Sequence, residues 1–270
     1  MGIVNVTPDS FSDGGRYLDP EAAIRHGLQL AAEGADVLDV GGESTRPGAA
    51  EVGAEEEIAR VVPVVQALSG AGHRVSIDTS KSFVAERALA AGASIVNDVT
   101  ALGDPEMAGV VARAEAGLVL MHMKGTPRTM QNDPTYGDVV GEVRDFLAGR
   151  LTVAIDAGVA EERVWLDPGI GFGKTVAHNL ELIERLGDLR TLGRPVVLGA
   201  SRKTFLGKLT GREVDDRLAA SLAVAVLGVA RGANVLRVHD VAATRDALTV
   251  TEAVLESAPL AEQLAGGGGA

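Results

Sequence analysis

The sequence predicts an α/β protein folded as one (β/α)8 TIM barrel. Three observations carry that prediction. Short apolar runs rich in β-branched residues occur eight times, each is followed by a longer stretch of helical character, and no change of composition divides the chain. Its 270 residues also suit a barrel, which takes about 250 as a single domain.

The elements follow in order. Ile3–Val6 leads to a helix over Pro20–Glu33, Val37–Val40 to Ala54–Leu68, Arg74–Ile77 to Lys81–Ala91, and Ser94–Val96 to Pro105–Glu115. Leu118–Met121 leads to Asp138–Ala157, Val164–Leu166 to Val176–Leu189, Val196–Leu198 to Val214–Arg231, and Val235–Val238 to Val241–Glu256. Gly34, Gly92 and Gly158 stand where left-handed helix caps belong. The alternative with the same alternation is an open doubly wound sheet. One catalytic domain is expected over residues 1–257, with a disordered tail over 258–270 that includes Gly266–Gly269.

Composition removes several function classes. No apolar run approaches the roughly 18 residues of a membrane span, and the N-terminus lacks the basic-then-apolar pattern of a signal peptide. With no cysteine, disulfides and thiolate metal sites are excluded and a cytoplasmic location is expected. A net charge of −12 without basic runs argues against nucleic acid and anionic membranes as partners. A few placed cations must therefore hold any anionic ligand against the overall field.

Barrel active sites lie at the C-terminal ends of the strands, and here every run ends in a polar group. The first carries Asn5. Glu43, Ser44, Thr45 and Arg46 follow the second. Asp78, Asn97-Asp98, Met121-His122 and Asp167 close the next four. Ser201-Arg202-Lys203 follows the seventh, and Arg237 and His239 belong to the eighth. Each taken singly could be a helix cap or a loop hydrogen bond. Together they sort by chemistry. Asp78, Asn97 and Asp167 suit a flat heterocycle with a donor edge, while Asn5, Arg46, Arg237 and His239 suit phosphate. Two Gly-rich loops, Thr7–Gly15 and Gly41–Gly48, are expected to move without ligand and to order around it. Gly173-Lys174-Thr175 imitates the end of a phosphate-binding loop, but that motif needs a glycine at position 168, which is Pro. Asn5-Val6-Thr7 matches a glycosylation sequon with no other sign of secretion.

Asn5-Val6-Thr7-Pro8-Asp9-Ser10-Phe11-Ser12-Asp13-Gly14-Gly15 and Gly41-Gly42-Glu43-Ser44-Thr45-Arg46-Pro47-Gly48 resemble the first two signatures of the dihydropteroate synthases. Ser76-Ile77-Asp78-Thr79, Val96-Asn97-Asp98, Met121-His122-Met123, Leu166-Asp167-Pro168-Gly169, Gly171-Phe172-Gly173-Lys174, Ser201-Arg202-Lys203 and Arg237-Val238-His239-Asp240 follow in family order. Two departures stand out. Relatives commonly carry a short segment before the first strand, so a less covered barrel bottom is expected, and position 170 is Ile where many have an aromatic.

The resemblance implies an enzyme of folate biosynthesis, blocked by sulfonamides. It would join 6-hydroxymethyl-7,8-dihydropterin diphosphate to 4-aminobenzoate, giving 7,8-dihydropteroate and diphosphate, with Mg²⁺ and commonly as a homodimer. By motif, Asp78, Asn97, Met121, Asp167, Lys203 and Arg237 would hold the pterin. Asn5, Thr45, Arg46, Arg237 and His239 would hold the diphosphate, with Asn5 also on Mg²⁺. Phe11, Thr45, Pro47, Phe172 and Thr204 would shape the aminobenzoate site. Lys203, Asp13 and Arg46 would be catalytic, the last two closing in from the loops.

A dissociative displacement fits these residues. The arylamine is a weak nucleophile, so diphosphate leaves first, its charge offset by Mg²⁺, Arg46, Arg237 and His239, while loop closure excludes water. Two rivals share the pterin logic: a methyltetrahydrofolate-dependent methyltransferase barrel, and a non-catalytic pterin-binding paralogue. The stretch Leu218–Ala230, almost wholly small and apolar, is wider than a one-sided core stripe and supports burial on two sides, by the barrel and by a second subunit.

Overall fold

A computed structural model describes residues 1–7, 20–44, 50–126, 129–130 and 132–266, with side chains to residue 257. Among the described residues eight parallel strands appear: β1 (Gly2–Asn5), β2 (Leu38–Gly41), β3 (Val75–Asp78), β4 (Ile95–Asp98), β5 (Gly117–Met121), β6 (Val164–Asp167), β7 (Val197–Leu198) and β8 (Val235–Leu236). The first six form one sheet in sequence order, and β7 pairs with β8. Two single bridges close the ring. Leu166 pairs with Val196, its N–H donating to the Pro195 carbonyl at 2.9 Å. Gly2 pairs with Val238, with the Ile3 N–H donating to the Val238 carbonyl at 3.0 Å. The predicted closed barrel is therefore present, and the open sheet is excluded.

Strand periodicity sorts the side chains. Val4, Leu38, Val40, Val75, Ile77, Val96, Leu118, Leu120, Val164, Leu166 and Leu198 point outward and are buried against the helices. The opposite parity fills the barrel. Val37, Ile95, Val119 and Val197, with Met1, Trp165 and Val235 beside them, form an apolar layer in its lower half. Above it the same parity turns polar, and Asn5, Gly41, Asp78 and Asn97 lie in register across β1 to β4.

The outer helices are α1 (Pro20–Ala32), α2 (Ala54–Gly70), α3 (Ser82–Ala90), α4 (Met107–Arg113), α5 (Val139–Asp156), α6 (Val176–Glu184), α7 (Thr204–Thr210), α8 (Leu218–Ala230) and α9 (Val241–Gly266). The strands turn helical at defined stops. Asp138 caps α5 by accepting from the Gly141 N–H, and Thr175 caps α6 through a capping box with His178. Gly34, Gly92 and Gly158 all adopt positive φ. The inner faces of these helices bury Leu30, Leu68, Leu147 and Leu182 almost completely, each contributing about 1.5–3 kcal/mol.

The structure corrects several expected elements. The helix expected over Val176–Leu189 ends at Glu184, capped by Arg185, and continues as a 3-10 helix, Leu186–Leu192. The segment after β7 holds a helix the sequence elements omitted, α7, and the helix expected from Val214 starts only at Leu218 after a 3-10 turn, Val214–Asp216. The final helix runs on to Gly266, past residue 257. Residues 267–270 lie outside the described residues.

Candidate active site

The C-terminal ends of the strands surround a cleft of about 330 Å³ lined by Asp78, Asn97, Met121, Asp167, Lys203 and Arg237, together with Phe172 and small residues. Every residue expected to hold the heterocycle is in this lining. Six separate strands, or the turns that follow them, deliver these side chains.

Arg237 organises the cleft. Its Nε donates to Asp39 Oδ2 at 2.6 Å and one Nη donates to Asp78 Oδ2 at 2.6 Å. Asn97 Nδ2 donates to the same Asp39 oxygen at 3.0 Å. Burial pushes the Asp78 carboxyl up to about 7, with Arg237 pulling the other way. Burial likewise raises Asp167, opposed by a hydrogen bond from the Gly169 N–H at 2.7 Å and by Lys203. Burial disfavours the Arg237 charge, yet the Asp39 and Asp78 carboxylates outweigh it and hold the guanidinium above its ordinary range. Two acids whose ionised form is disfavoured by burial therefore face a cleft. Such groups gain most from a ligand that brings N–H donors.

Lys203 ends the turn before α7, and its Nζ lies 3.9 Å from the centre of the Phe172 ring. Phe172 was expected on the aminobenzoate side. It is buried and lines the same cleft, beside Lys203. Thr204 opens α7, is exposed, and does not line the cleft.

At the phosphate end, His239 is half-buried, its Nδ1 3.0 Å from Ser201 Oγ, and its N–H donates to the same hydroxyl at 3.2 Å. Burial, then Arg237 and Arg202, lower its pKa to about 4. Without ligand it is a neutral hydrogen-bonding ring near pH 7. Arg202, adjacent, donates from Nε to Asp240 at 3.0 Å. Asn5 sits half-buried at the end of β1, next to β8 in the closed barrel. Asp98, also at a strand end, serves its own turn by accepting from the Thr100 and Leu102 N–H groups. For it the capping explanation holds. Phe11, Asp13, Thr45, Arg46 and Pro47 lie outside the described residues, as do residues 8–15 of the first Gly-rich loop and 45–48 of the second.

Sequence reasoning missed three groups. Asp39, fully buried on β2, anchors both Arg237 and Asn97. A lone acid inside the run Val37-Leu38-Asp39-Val40, on the parity of Gly41, was the available signal. Glu43 accepts from the Val52 N–H at 3.1 Å and from Lys81 Nζ at 2.5 Å, so it ties together both ends of the connection after β2, while Lys81 also meets the buried Glu57 at 2.6 Å. Nothing local marks that trio. Lys174, dismissed with the false phosphate loop, is buried against His122; burial lowers its pKa to about 7, although Asp167 pulls it up.

A family model described as pterin binding enzyme matches residues 1–239. A dihydropteroate synthase from Neisseria meningitidis serogroup B is 51% identical over 261 residues, covering 94% of this chain and 92% of that protein. Among solved structures, the Xanthomonas albilineans dihydropteroate synthase with 4-aminobenzoic acid superposes with a TM-score of 0.89 at 52% identity, covering 94% of this chain and 92% of that one. The same enzyme in complex with 7,8-dihydropteroate gives 0.86 at 50% identity, with the same coverage of both chains. With a closed barrel, one acid-lined cleft and these matches over nearly its whole length, the chain belongs to the pterin-binding enzyme family and stands among the dihydropteroate synthases.

Proposed function

We propose that this cleft joins 6-hydroxymethyl-7,8-dihydropterin diphosphate to 4-aminobenzoate. The bond from the pterin methylene to the diphosphate oxygen breaks, a bond from that carbon to the arylamine nitrogen forms, and the nitrogen loses a proton. The products are 7,8-dihydropteroate and diphosphate. The observation that carries the reading is the convergence of Asp78, Asn97, Asp167, Lys203 and Arg237 on one cleft. Asp78, Asn97 and Asp167 bind the amino and ring N–H edge, and the two carboxylates favour positive charge developing on the ring as the leaving group departs. Lys203, held over Phe172, donates to the ring carbonyl side and fixes the plane. Arg237 lies against the ring, while His239 contributes a hydrogen bond at the diphosphate end.

Among the described residues no group of three or more His, Asp or Glu side chains is placed to hold a metal. The donor set on offer is a single amide oxygen, Asn5. That fits an ion that keeps several waters and takes phosphate oxygens, as Mg²⁺ does. Asn5 would hold Mg²⁺ with the substrate, where the ion offsets diphosphate charge. Arg46, Thr45 and Asp13 are assigned to the closing loops, and Phe11, Pro47 and Thr204 to the aminobenzoate wall, on their motif positions alone.

A homodimer through α8 and its neighbours is supported by exposed Leu218 and Leu227 on a helix that is otherwise apolar. No helix among the described residues is long and apolar enough to cross a membrane. A cytoplasmic location is supported by the absence of cysteine.

The test is diphosphate release. It should require both the pterin diphosphate and 4-aminobenzoate. Pterin binding without diphosphate release favours the non-catalytic paralogue, and methyl transfer from a methylated folate favours the methyltransferase barrel.

A further inference from the structure

Lys174 does not line the cleft, yet it is only 3% exposed. Its Nζ donates to the Gly169 carbonyl at 3.0 Å and to the Phe172 carbonyl at 2.9 Å, and meets His122 Nδ1 at 2.9 Å. A longer contact, 3.4 Å, reaches the His122 carbonyl. The partners are three main-chain oxygens and a ring nitrogen, so the amine acts as a cross-link between the turn after β6 and the end of β5.

That turn needs one. Residues 168–174 form neither helix nor strand, so their carbonyls join no ladder and are satisfied one by one: Gly169 by the Phe172 N–H at 3.1 Å as well as by Lys174, Gly173 by the Tyr136 hydroxyl at 2.8 Å, and Phe172 by Lys174. Gly169 and Gly173 adopt φ of +67° and +63°. A side chain at Gly169 would run into the His122 carbonyl oxygen, and one at Gly173 into that of Lys124. The turn therefore lies flat on the chain leaving β5, too close for anything but glycine. Its two ends carry cleft residues. Gly169 donates to Asp167 Oδ1 at 2.7 Å, and Phe172 supplies the ring beneath Lys203. The two carbonyls Lys174 binds most closely belong to these same residues, Gly169 and Phe172.

We infer that Lys174 is a positioning residue for both substrates, fixing the cleft wall made by Asp167 and Phe172 without touching either ligand. The inference rests on the activity proposed above. Loss of the amine lets the Gly-rich turn relax, so Asp167 and the Phe172–Lys203 stack leave their working geometry together.

The chain has no cysteine, so a Lys174→Cys variant offers one thiol. Alkylation of the unfolded variant with 2-bromoethylamine, the thiolate displacing bromide, followed by refolding, restores an amine at nearly the length of lysine. Pterin diphosphate affinity is read by calorimetry and the 4-aminobenzoate KM by turnover. Lys174→Cys should lose at least tenfold in both, and aminoethylation should recover both to within about threefold of the wild type. Thr175→Ala, which removes the α6 cap beside Lys174, should lower Tm and leave both constants unchanged. His122→Phe keeps a ring and removes one acceptor, and should shift both constants in the same direction by a smaller factor. Wild-type constants in Lys174→Cys overturn the inference, as does an equal loss in Thr175→Ala at equal Tm, or recovery of Tm without recovery of binding. If refolding fails, wild-type constants in His122→Phe overturn it alone. Wild-type protein that binds pterin diphosphate but does not turn it over would overturn the activity only, and the affinities of the variants would still decide the role of Lys174.

Discussion

Arg237 Nε lies 2.6 Å from Asp39 Oδ2, joining residues 198 positions apart in the chain across the inside of the barrel. Asp39 does not line the cleft, and its second oxygen has no protein partner. It is fully buried, and it holds both Arg237 and Asn97 in place. Removing one member of a buried ion pair leaves the other uncompensated and costs about 3–5 kcal/mol. Asp39→Ala should therefore lower Tm and weaken pterin binding at least tenfold, although it never meets the ligand. Thermal unfolding and calorimetry check both. Unchanged pterin affinity would mean that Arg237 and Asn97 keep their places without Asp39.

Asp167→Ala and Lys203→Ala act directly on the ring. A hydrogen bond to a charged group is worth about 1.5–3 kcal/mol, roughly 10- to 150-fold in affinity. Each variant should weaken pterin diphosphate by that range and remove most turnover. Because Lys203 stands over Phe172, its loss should also raise the 4-aminobenzoate KM, whereas loss of Asp167 should fall mainly on the pterin. Near-normal pterin affinity in both variants would reject the assignment.

The raised pKa of Asp78 makes pterin binding pH-dependent. Its carboxyl sits at about 7 in the free protein. Ring N–H donors favour the ionised form, so binding lowers this pKa and releases a proton whenever the group starts protonated. Affinity should rise as pH climbs through about 7 and level off above it. Calorimetry in two buffers of different ionisation enthalpy measures the proton release directly; proton uptake would reverse the assignment. For stability the sign is opposite. The unfolded chain, with Asp78 at its ordinary 3.8, binds fewer protons than the folded one across that window, so this group's contribution to stability declines as pH rises from 3.8 to about 7.

Magnesium should bind with the diphosphate rather than before it. The described residues present no carboxylate or imidazole cluster for a metal, and Asn5 alone is a thin donor set. Titration of Mg²⁺ into the protein with diphosphate present should give a clear isotherm that is absent without it, and Asn5→Ala should weaken that isotherm. Tight binding to the ligand-free protein would place the metal elsewhere.

The barrel and most of the cleft lining were legible in the sequence because each depends on local pattern. Alternating strands and helices set the architecture, and period-two alternation decides which side chains face inward, so Asp78, Asn97 and Asp167 could be assigned to one rim from their positions alone. Helix limits were less legible. α6 gives way to a 3-10 helix within one apolar run, and the short α7 follows a strand only two residues long, where the apolar signal is weakest.

What tertiary structure alone decided are the partners and the charges. No spacing in the chain announces that Asp39 meets Arg237, or that Lys174 folds inward onto His122, because these contacts link segments tens to hundreds of residues apart. Protonation follows the same rule. His239 is an ordinary histidine in the sequence, and only its burial beside Arg237 and Arg202 keeps it neutral down to about pH 4. The sequence by itself determined which groups reach the rim, since that depends on backbone periodicity. Their pairing and ionisation depend on desolvation and on neighbours brought from other strands, and these exist only once the barrel has closed.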